Sequence, residues 1–310
     1  MPIAAPSDLL ADEYDLGFYT IGYERRARFI ASSLAGRTKS LCAFEYNTNA
    51  LAFAENRAWA VNQKVLIKPL ADYRVDRESN FRKFVAHYIE EYSSKEAVKR
   101  LFVDVSSMDR SLIGRLLHSI FAVIKPPFNL RLCYAPASFV EPNYNFVPAR
   151  ECAASIPELS GILGIHQSSL SLLLGLGYEF GISLGLLEQF EPDHALVFTP
   201  TGTDDRYDDA VRKANFDFDF GIENVGLFPY RVNQPLTLFE SLFSITSNVS
   251  NLHRIIVAPN GPKIFAALAT VVGLFRAPQI AVLRASLAAQ PPPHHVEADG
   301  SIVAMDFRCG

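Results

Sequence analysis

Short, nearly continuous apolar runs alternate along this chain with stretches of helical period, and the same succession occurs twice. The run Tyr19-Thr-Ile-Gly-Tyr-Glu24 returns 155 positions later as Leu174-Gly-Leu-Gly-Tyr-Glu179. Each leads into a helical pattern, RRARFIASSLAG in the first case and FGISLGLLEQFEP in the second. A second apolar strand follows each, Ser40 to Phe44 and Ala195 to Phe198, and then a helix carrying Asn56 or Asn215 near its end. The third strands, Lys64 to Pro69 and Asn224 to Pro229, stand 160 positions apart, so a loop has gained a few residues. Amphipathic helices around residues 80–93 and 236–247 precede the fourth strands, Arg100 to Val105 and Arg254 to Pro259. After a small-residue turn and a long apolar helix, the fifth strands are Leu130 to Pro136 and Gln279 to Ala285.

Five strands alternating with four helices in each half predict an α/β protein made of two tandem, duplicated, doubly wound Rossmann-like parallel-sheet units. The strands lack the alternation of a half-exposed sheet because helices cover both faces. The expected boundaries are residues 1–140 for the first unit, 141–170 for a connecting segment and 171–310 for the second unit. The connection is rich in proline and small residues and has no sustained period. The final run, Gly300 to Arg308, is expected as an edge strand or hairpin arm of the second unit, with an Asp-Gly turn at 299–300.

Charge and cysteine content narrow the classes of partner. A net charge of -4 supplies no overall positive field to draw in a nucleic-acid backbone, so a nucleic acid is not the expected partner, although a local basic groove stays open. The four cysteines (Cys42, Cys133, Cys152, Cys309) form no C-x-x-C pair, which fits a reducing cytoplasm better than a disulfide or zinc framework. The acidic N-terminal stretch lacks the layout of a signal peptide. The most apolar helical run, Ile264 to Phe275, falls short of the roughly 20 residues a membrane span needs, so no membrane partner is expected.

In an open parallel sheet, ligands bind beyond the carboxyl ends of the strands. The first such loop is Gly22-Tyr23-Glu24-Arg25-Arg26. Glycine permits a tight turn, and a helix start suits an anion, while two arginines there oppose the helix dipole unless they meet an acid. The same residues also read as a capping turn with Glu24 on the dipole. The second copy keeps Gly177-Tyr178-Glu179 but has Phe180-Gly181 in place of the arginines. The loop after the fourth strand, Asp104 to Arg110, offers Ser106 or Ser107 as a helix cap with Asp109 and Arg110 in the first turn, or as a hydroxyl contact to a phosphate or sugar. Its counterpart, Asn260-Gly261-Pro262-Lys263, places proline at a helix start and a lysine in the first turn, where a nearby anion would rationalise it. The plain alternative is a Gly-Pro helix start with a solvated lysine.

Neither G-x-x-x-x-G-K-[ST] nor G-x-G-x-x-G occurs, which argues against a P-loop kinase and a dinucleotide dehydrogenase. No G-x-S-x-G elbow anchors a hydrolase triad. The histidines are scattered without ligand spacing, and the acidic loop Thr199 to Asp209 lacks calcium-loop spacing. No metal and no cofactor are therefore called for.

The strand, small-residue turn, lysine and long apolar helix at Gly261 to Phe275 resemble the corresponding turn of CARF domains, Rossmann-like sensors of cyclic oligonucleotides in prokaryotic defence. The tandem arrangement resembles the SAVED domain, in which two CARF-like units within one chain bind such a ligand. The resemblance implies plausible counterparts for Gly261, Lys263, Ser106 and Ser107, and a role in anti-phage defence. The chain departs from that family in carrying no recognisable effector domain, so the resemblance implies a sensor acting on a separately encoded effector protein, or one that degrades its own ligand.

The expected function is a nucleotide-sensing or nucleotide-binding regulatory protein with its ligand between the two halves. Lys263, Arg25, Arg26 and Arg110 would face phosphates, and Ser106, Ser107 and Glu24 ribose or base. Two other readings stay open. One is a nucleotide hydrolase or glycosyl-type transferase using Glu24 or Glu179 with Asp104. The other is a non-catalytic pseudo-dimeric interaction module.

Overall fold

The computed structural model describes residues 12–310 except 71–76, 94–97, 143–148, 162–168, 180, 222, 250–253 and 288–292. Phe180, His166, His253 and parts of the 141–170 connection therefore lie outside the described residues.

The chain divides into two compact units, residues 1–138 with 292–310, and residues 139–291. In the first unit the parallel strands are β1 (Tyr14–Ile21), β2 (Thr38–Glu45), β3 (Leu66–Pro69), β4 (Arg100–Asp104) and β5 (Phe128–Tyr134). The helices between them are α1 (Phe29–Leu34), α2 (Phe53–Asn62), α3 (Arg77–Ser93) and α4 (Arg110–Val123). In the second unit, β6 (Ala149–Ala154) precedes β7 (Leu170–Gly175), β8 (His194–Thr201), β9 (Val225–Arg231), β10 (Arg254–Pro259) and β11 (Ile280–Leu287). Its helices are α5 (Ile182–Phe190), α6 (Asp205–Ala214), α7 (Pro235–Val249) and α8 (Lys263–Arg276), and the chain ends with β12 (Val303–Cys309).

Both sheets repeat one plan. The first runs β12-β5-β4-β1-β2-β3 and the second β6-β11-β10-β7-β8-β9, so each is a doubly wound parallel core with one extra strand on the same edge. The extra strand is antiparallel in both. The duplication read from Gly-Tyr-Glu is thus a duplication of topology. Central β1 is buried along its whole length, as expected of a strand covered on both faces. The edge strands β3 and β9 each carry a proline, Pro69 and Pro229, where a missing N–H costs no ladder bond.

Two expectations are corrected. The terminal strand β12 does not belong to the second unit: it pairs with β5 of the first, with Asp306 opposite Arg131. Nor is the 141–170 segment merely a connection, because β6 within it pairs with β11. Thus β12, which follows the second unit in the chain, completes the first sheet, and β6 precedes the strands of the sheet that it completes. The physical reason lies in β12 itself. Its alternate residues Val303, Met305 and Phe307 are buried, and Asp306 meets the nearly buried Arg131 of β5.

Among the described residues, no helix is long and apolar enough to cross a membrane. None of the described His, Cys, Asp and Glu side chains gather in a group of three able to hold a metal ion.

Candidate functional site

The strand order reverses between β1 and β4 in the first unit, and between β7 and β10 in the second. These are the switch points at which a doubly wound sheet opens a crevice at its carboxyl edge. In each unit the Gly-Tyr-Glu loop and the loop after the fourth strand lie on the two sides of that point. They meet in both units, by different means.

In the first unit the loops are tied by their own side chains. The Glu24 carboxylate accepts from Arg26 Nε at 2.7 Å and from the Ser107 hydroxyl at 2.8 Å. Arg26 donates onward to the carbonyl of Ala135 at 3.4 Å, and the Ala135 N–H donates to the Ser106 hydroxyl oxygen at 2.8 Å. Ser106 in turn donates, through both N–H and hydroxyl, to Oδ1 of Asp104. A ring of hydrogen bonds thus links the ends of β1, β4 and β5. Outside it, Asp109 Oδ1 accepts from Leu112 N at 2.8 Å, and the Tyr46 hydroxyl both accepts from Asp109 N and donates to its carboxylate.

These contacts revise several roles expected from sequence. Neither Ser106 nor Ser107 caps α4; Asp109 does, because the two serines are turned inward onto Asp104 and Glu24. Beyond Glu24 the chain makes a short 3-10 turn, Arg25–Arg28, and then only six residues of α1, too short to build a strong anion site. Arg26 is neutralised by Glu24, and Arg25 pairs with Glu297 at 3.0 Å on the surface. Both arginines have thus found the acids that their position demanded. Arg110 opens α4. Tyr23 is half-buried, and its carbonyl accepts from Ala52 N.

Asp104 is the unusual group of this edge. It is buried at the end of β4, and its Oδ2 makes no hydrogen bond. Burial pushes its carboxyl up to about 7, with the two Ser106 bonds and the Arg26 charge pulling the other way. Burial also raises the neighbouring Tyr19 hydroxyl, with the Asp104 charge adding to it, and that hydroxyl too is buried without a partner.

In the second unit the loops meet through glycine. Gly261 has a φ of +75°, and a Cβ built on it would stand 1.9 Å from the carbonyl oxygen of Leu176. A Cβ on Gly177 would lie 2.9 Å from the Gly261 Cα and 2.2 Å from Oε2 of Glu179, whose carboxylate folds back over this contact. Gly261→Ala will therefore cost about 2 kcal/mol of stability from the left-handed backbone and the collision together. A chemical melt of the variant checks this, and a wild-type midpoint would refute it.

α8 begins at Lys263, and its N-cap residue, Pro262, has no side-chain acceptor to offer. Immediately before the turn, Asn260 is buried, and its Nδ2 makes no hydrogen bond. The residue aligned with Asp104 on β10 is Ala258. The acid groups of the first unit's edge, Asp104 and the cap Asp109, are thus absent from the corresponding edge of the second.

One device missed in the sequence is common to both units. The Asn56 side-chain amide donates to the carbonyls of Gly22 and Glu24 at 2.9 and 2.8 Å, and the Asn215 amide donates to the carbonyl of Gly177 at 2.7 Å. Both asparagines are buried, so each pins its Gly-Tyr-Glu loop from beneath. Asn215 comes directly after α6, as expected, whereas Asn56 sits in the first half of α2. The recurrence of asparagine after the second strand was the available signal. In the acidic loop, Asp204 caps α6 and Asp208 accepts from Gly202 N, which accounts for both without a metal.

No family model and no curated protein matches this sequence. Among solved structures, it is similar to a Pseudomonas syringae protein described as a methyltransferase, at 14% identity and a TM-score of 0.25 over 40% of this chain, and spans 66% of that protein, less than two thirds. It is similar to an rRNA methylase from Streptococcus thermophilus, at 14% identity and a TM-score of 0.26, over 44% of this chain and 74% of the other. A third is phosphoethanolamine N-methyltransferase 1 of Haemonchus contortus in complex with phosphoethanolamine and S-adenosylhomocysteine. There the identity is 10% and the TM-score 0.26, over 82% of this chain and 72% of the other. At such scores nothing of those proteins' chemistry transfers, and the Rossmann-like architecture of this chain rests on its own strand order.

Proposed function

We propose that this protein is a nucleotide-binding regulatory protein whose second unit holds the phosphate of a nucleotide-class ligand at the start of α8. The observation that carries the reading is the contrast between the two copies of one edge. In the first unit the helix start is filled by the carboxylate of Asp109, and the strand before it ends in the buried Asp104. In the second those acids are replaced by proline and alanine, a lysine stands in the first turn, and a buried amide donor lacks an acceptor. N–H groups, a lysine and an amide donor around a helix start together suit an anion. In this reading Glu179, whose carboxylate folds over Gly177, accepts from sugar hydroxyls.

The doubled unit and the Gly261–Lys263 turn, which resemble the CARF and SAVED sensors, extend the proposal to a part in prokaryotic anti-phage defence alongside a separate effector protein. Calorimetry with pyrophosphate, mononucleotides and cyclic oligonucleotides tests it. Lys263→Ala is expected to weaken binding about tenfold, the loss of one charge-assisted hydrogen bond. Absence of binding at millimolar concentration, or equal binding by the variant, would sink the reading.

A catalytic reading is favoured by Asp104, a carboxyl held near neutrality in the same hydrogen-bonded ring as Glu24. Product formed from nucleotides by the wild-type protein and abolished by Asp104→Asn would decide for it.

A further inference from the structure

The exposed surface beside the proposed phosphate site carries a group that this site does not explain. Tyr178, the middle residue of Gly-Tyr-Glu, is 38% exposed, whereas its counterpart Tyr23 is half-buried. Its ring is stacked on that of Tyr207, with centroids 5.9 Å apart and planes 25° from parallel. Tyr207 lies in the first turn of α6, directly after β8, and also meets Phe139, edge-on at 5.0 Å. The guanidinium of Arg206 stands 4.6 Å over the Phe139 ring. An exposed tyrosine is thus backed by a second ring and braced by a third, so that little entropy is lost in holding it against a planar partner.

Its place along the sheet edge matters as much as its exposure. β7 lies between β10 and β8, so the loop bearing Tyr178 separates the Gly261–Lys263 turn from the α6 turn that bears Tyr207. The residue next to Tyr178, Gly177, is the one that touches Gly261. Anion donors, the Glu179 carboxylate and an aromatic ring therefore succeed one another along one edge. That order matches phosphate, ribose and base in a nucleotide.

We infer that Tyr178, backed by Tyr207, is the stacking platform for the nucleobase of the ligand, an inference that rests on the proposed phosphate site at α8. Stacking recognises the face of the ring and not its edge, so this platform accepts any base, and purines best by their larger area.

Three probes separate the platform from the phosphate site: adenosine, ribose 5-phosphate and adenosine 5′-monophosphate, each titrated by calorimetry and by saturation-transfer NMR. The monophosphate is expected to bind more tightly than ribose 5-phosphate. Tyr178→Ala is expected to weaken the monophosphate and adenosine by roughly 5- to 150-fold while leaving ribose 5-phosphate unchanged, and Tyr178→Phe to keep the wild-type affinity. Tyr207→Ala, which removes the backing ring, is expected to give a smaller loss of the same selectivity.

Adenosine binding that Tyr178→Ala abolishes supports the platform even if ribose 5-phosphate fails to bind, an outcome that would instead overturn the phosphate site. Equal affinity for the monophosphate and ribose 5-phosphate, or base-dependent binding untouched by Tyr178→Ala, overturns the platform. So does failure of both adenosine and its monophosphate to bind.

Discussion

Replacing Asp306 by alanine will destabilise the first unit by about 4 kcal/mol, although Asp306 stands four residues from the end of the chain. Arg131 lies on β5, 6% exposed, and donates both Nε and Nη2 to the Asp306 carboxylate. Its remaining partners are the Tyr14 hydroxyl at 2.6 Å and Asp12 at 2.9 Å. Without Asp306, a nearly buried guanidinium loses its fork-to-fork partner and keeps its desolvation cost. Trp59, the sole tryptophan, sits on α2 of this unit with its ring 6.1 Å from that of Tyr19, so its fluorescence reports the relevant transition in urea. Arg131→Met combined with Asp306→Leu should recover most of the loss, since a well-packed apolar pair commonly equals a buried ion pair. A wild-type midpoint for Asp306→Ala would mean that β12 does not seal this sheet. By contrast, the exposed pair of Arg25 and Glu297 should contribute less than about 1 kcal/mol.

The second large effect is a dependence of stability on pH that Asp104→Asn will remove. Burial raises the folded carboxyl from 3.8 to about 7, so between those values the folded state holds a proton that the unfolded chain releases. Stability from this group is therefore greatest in acid and declines as pH rises toward 7, flattening above it. The change amounts to on the order of 4 kcal/mol between about pH 4 and pH 8. Asparagine keeps an oxygen to accept from Ser106 and cannot ionise. The variant should thus gain on the wild type as pH rises, by that amount in Trp59-monitored urea melts. A constant difference between the two proteins across the range would show that Asp104 does not carry the shift. Ala258 stands at the aligned position of the second unit, so the effect should belong to the first unit's transition alone.

How much of this is legible in the sequence depends on the kind of interaction involved. The strands and helices are readable because their signals are local. The apolar runs at Leu41–Phe44 and Ile255–Ala258 and the period of α8 are written in neighbouring residues, and Gly-Tyr-Glu marks both copies at once. The positions of the carboxyl-edge loops come with the fold class, since parallel order fixes which loops share an edge. The partners of the side chains in those loops are not readable. Ser107 reaches Glu24 across 83 positions and Arg26 reaches Ala135 across 109. Sequence spacing therefore suggests serine caps and phosphate-facing arginines where the fold ties these side chains to one another. The aromatic backing of Tyr178 likewise comes from Tyr207 and Phe139 on other segments.

The sequence by itself determined that this protein is two copies of one doubly wound unit, because periodicity and turn chemistry are properties of adjacent residues. It also showed where the copies differ, arginines in the first opening loop and Gly-Pro-Lys in the second later one. Only the tertiary structure decided which copy's edge is closed and which is left with an unsatisfied donor. It alone placed β12 on the first sheet and β6 on the second. The reason is physical: strand pairing, burial of Asp104 and the pairing of Arg131 with Asp306 are set by groups brought together through folding. Their free energies depend on solvent exclusion that no local stretch of sequence encodes.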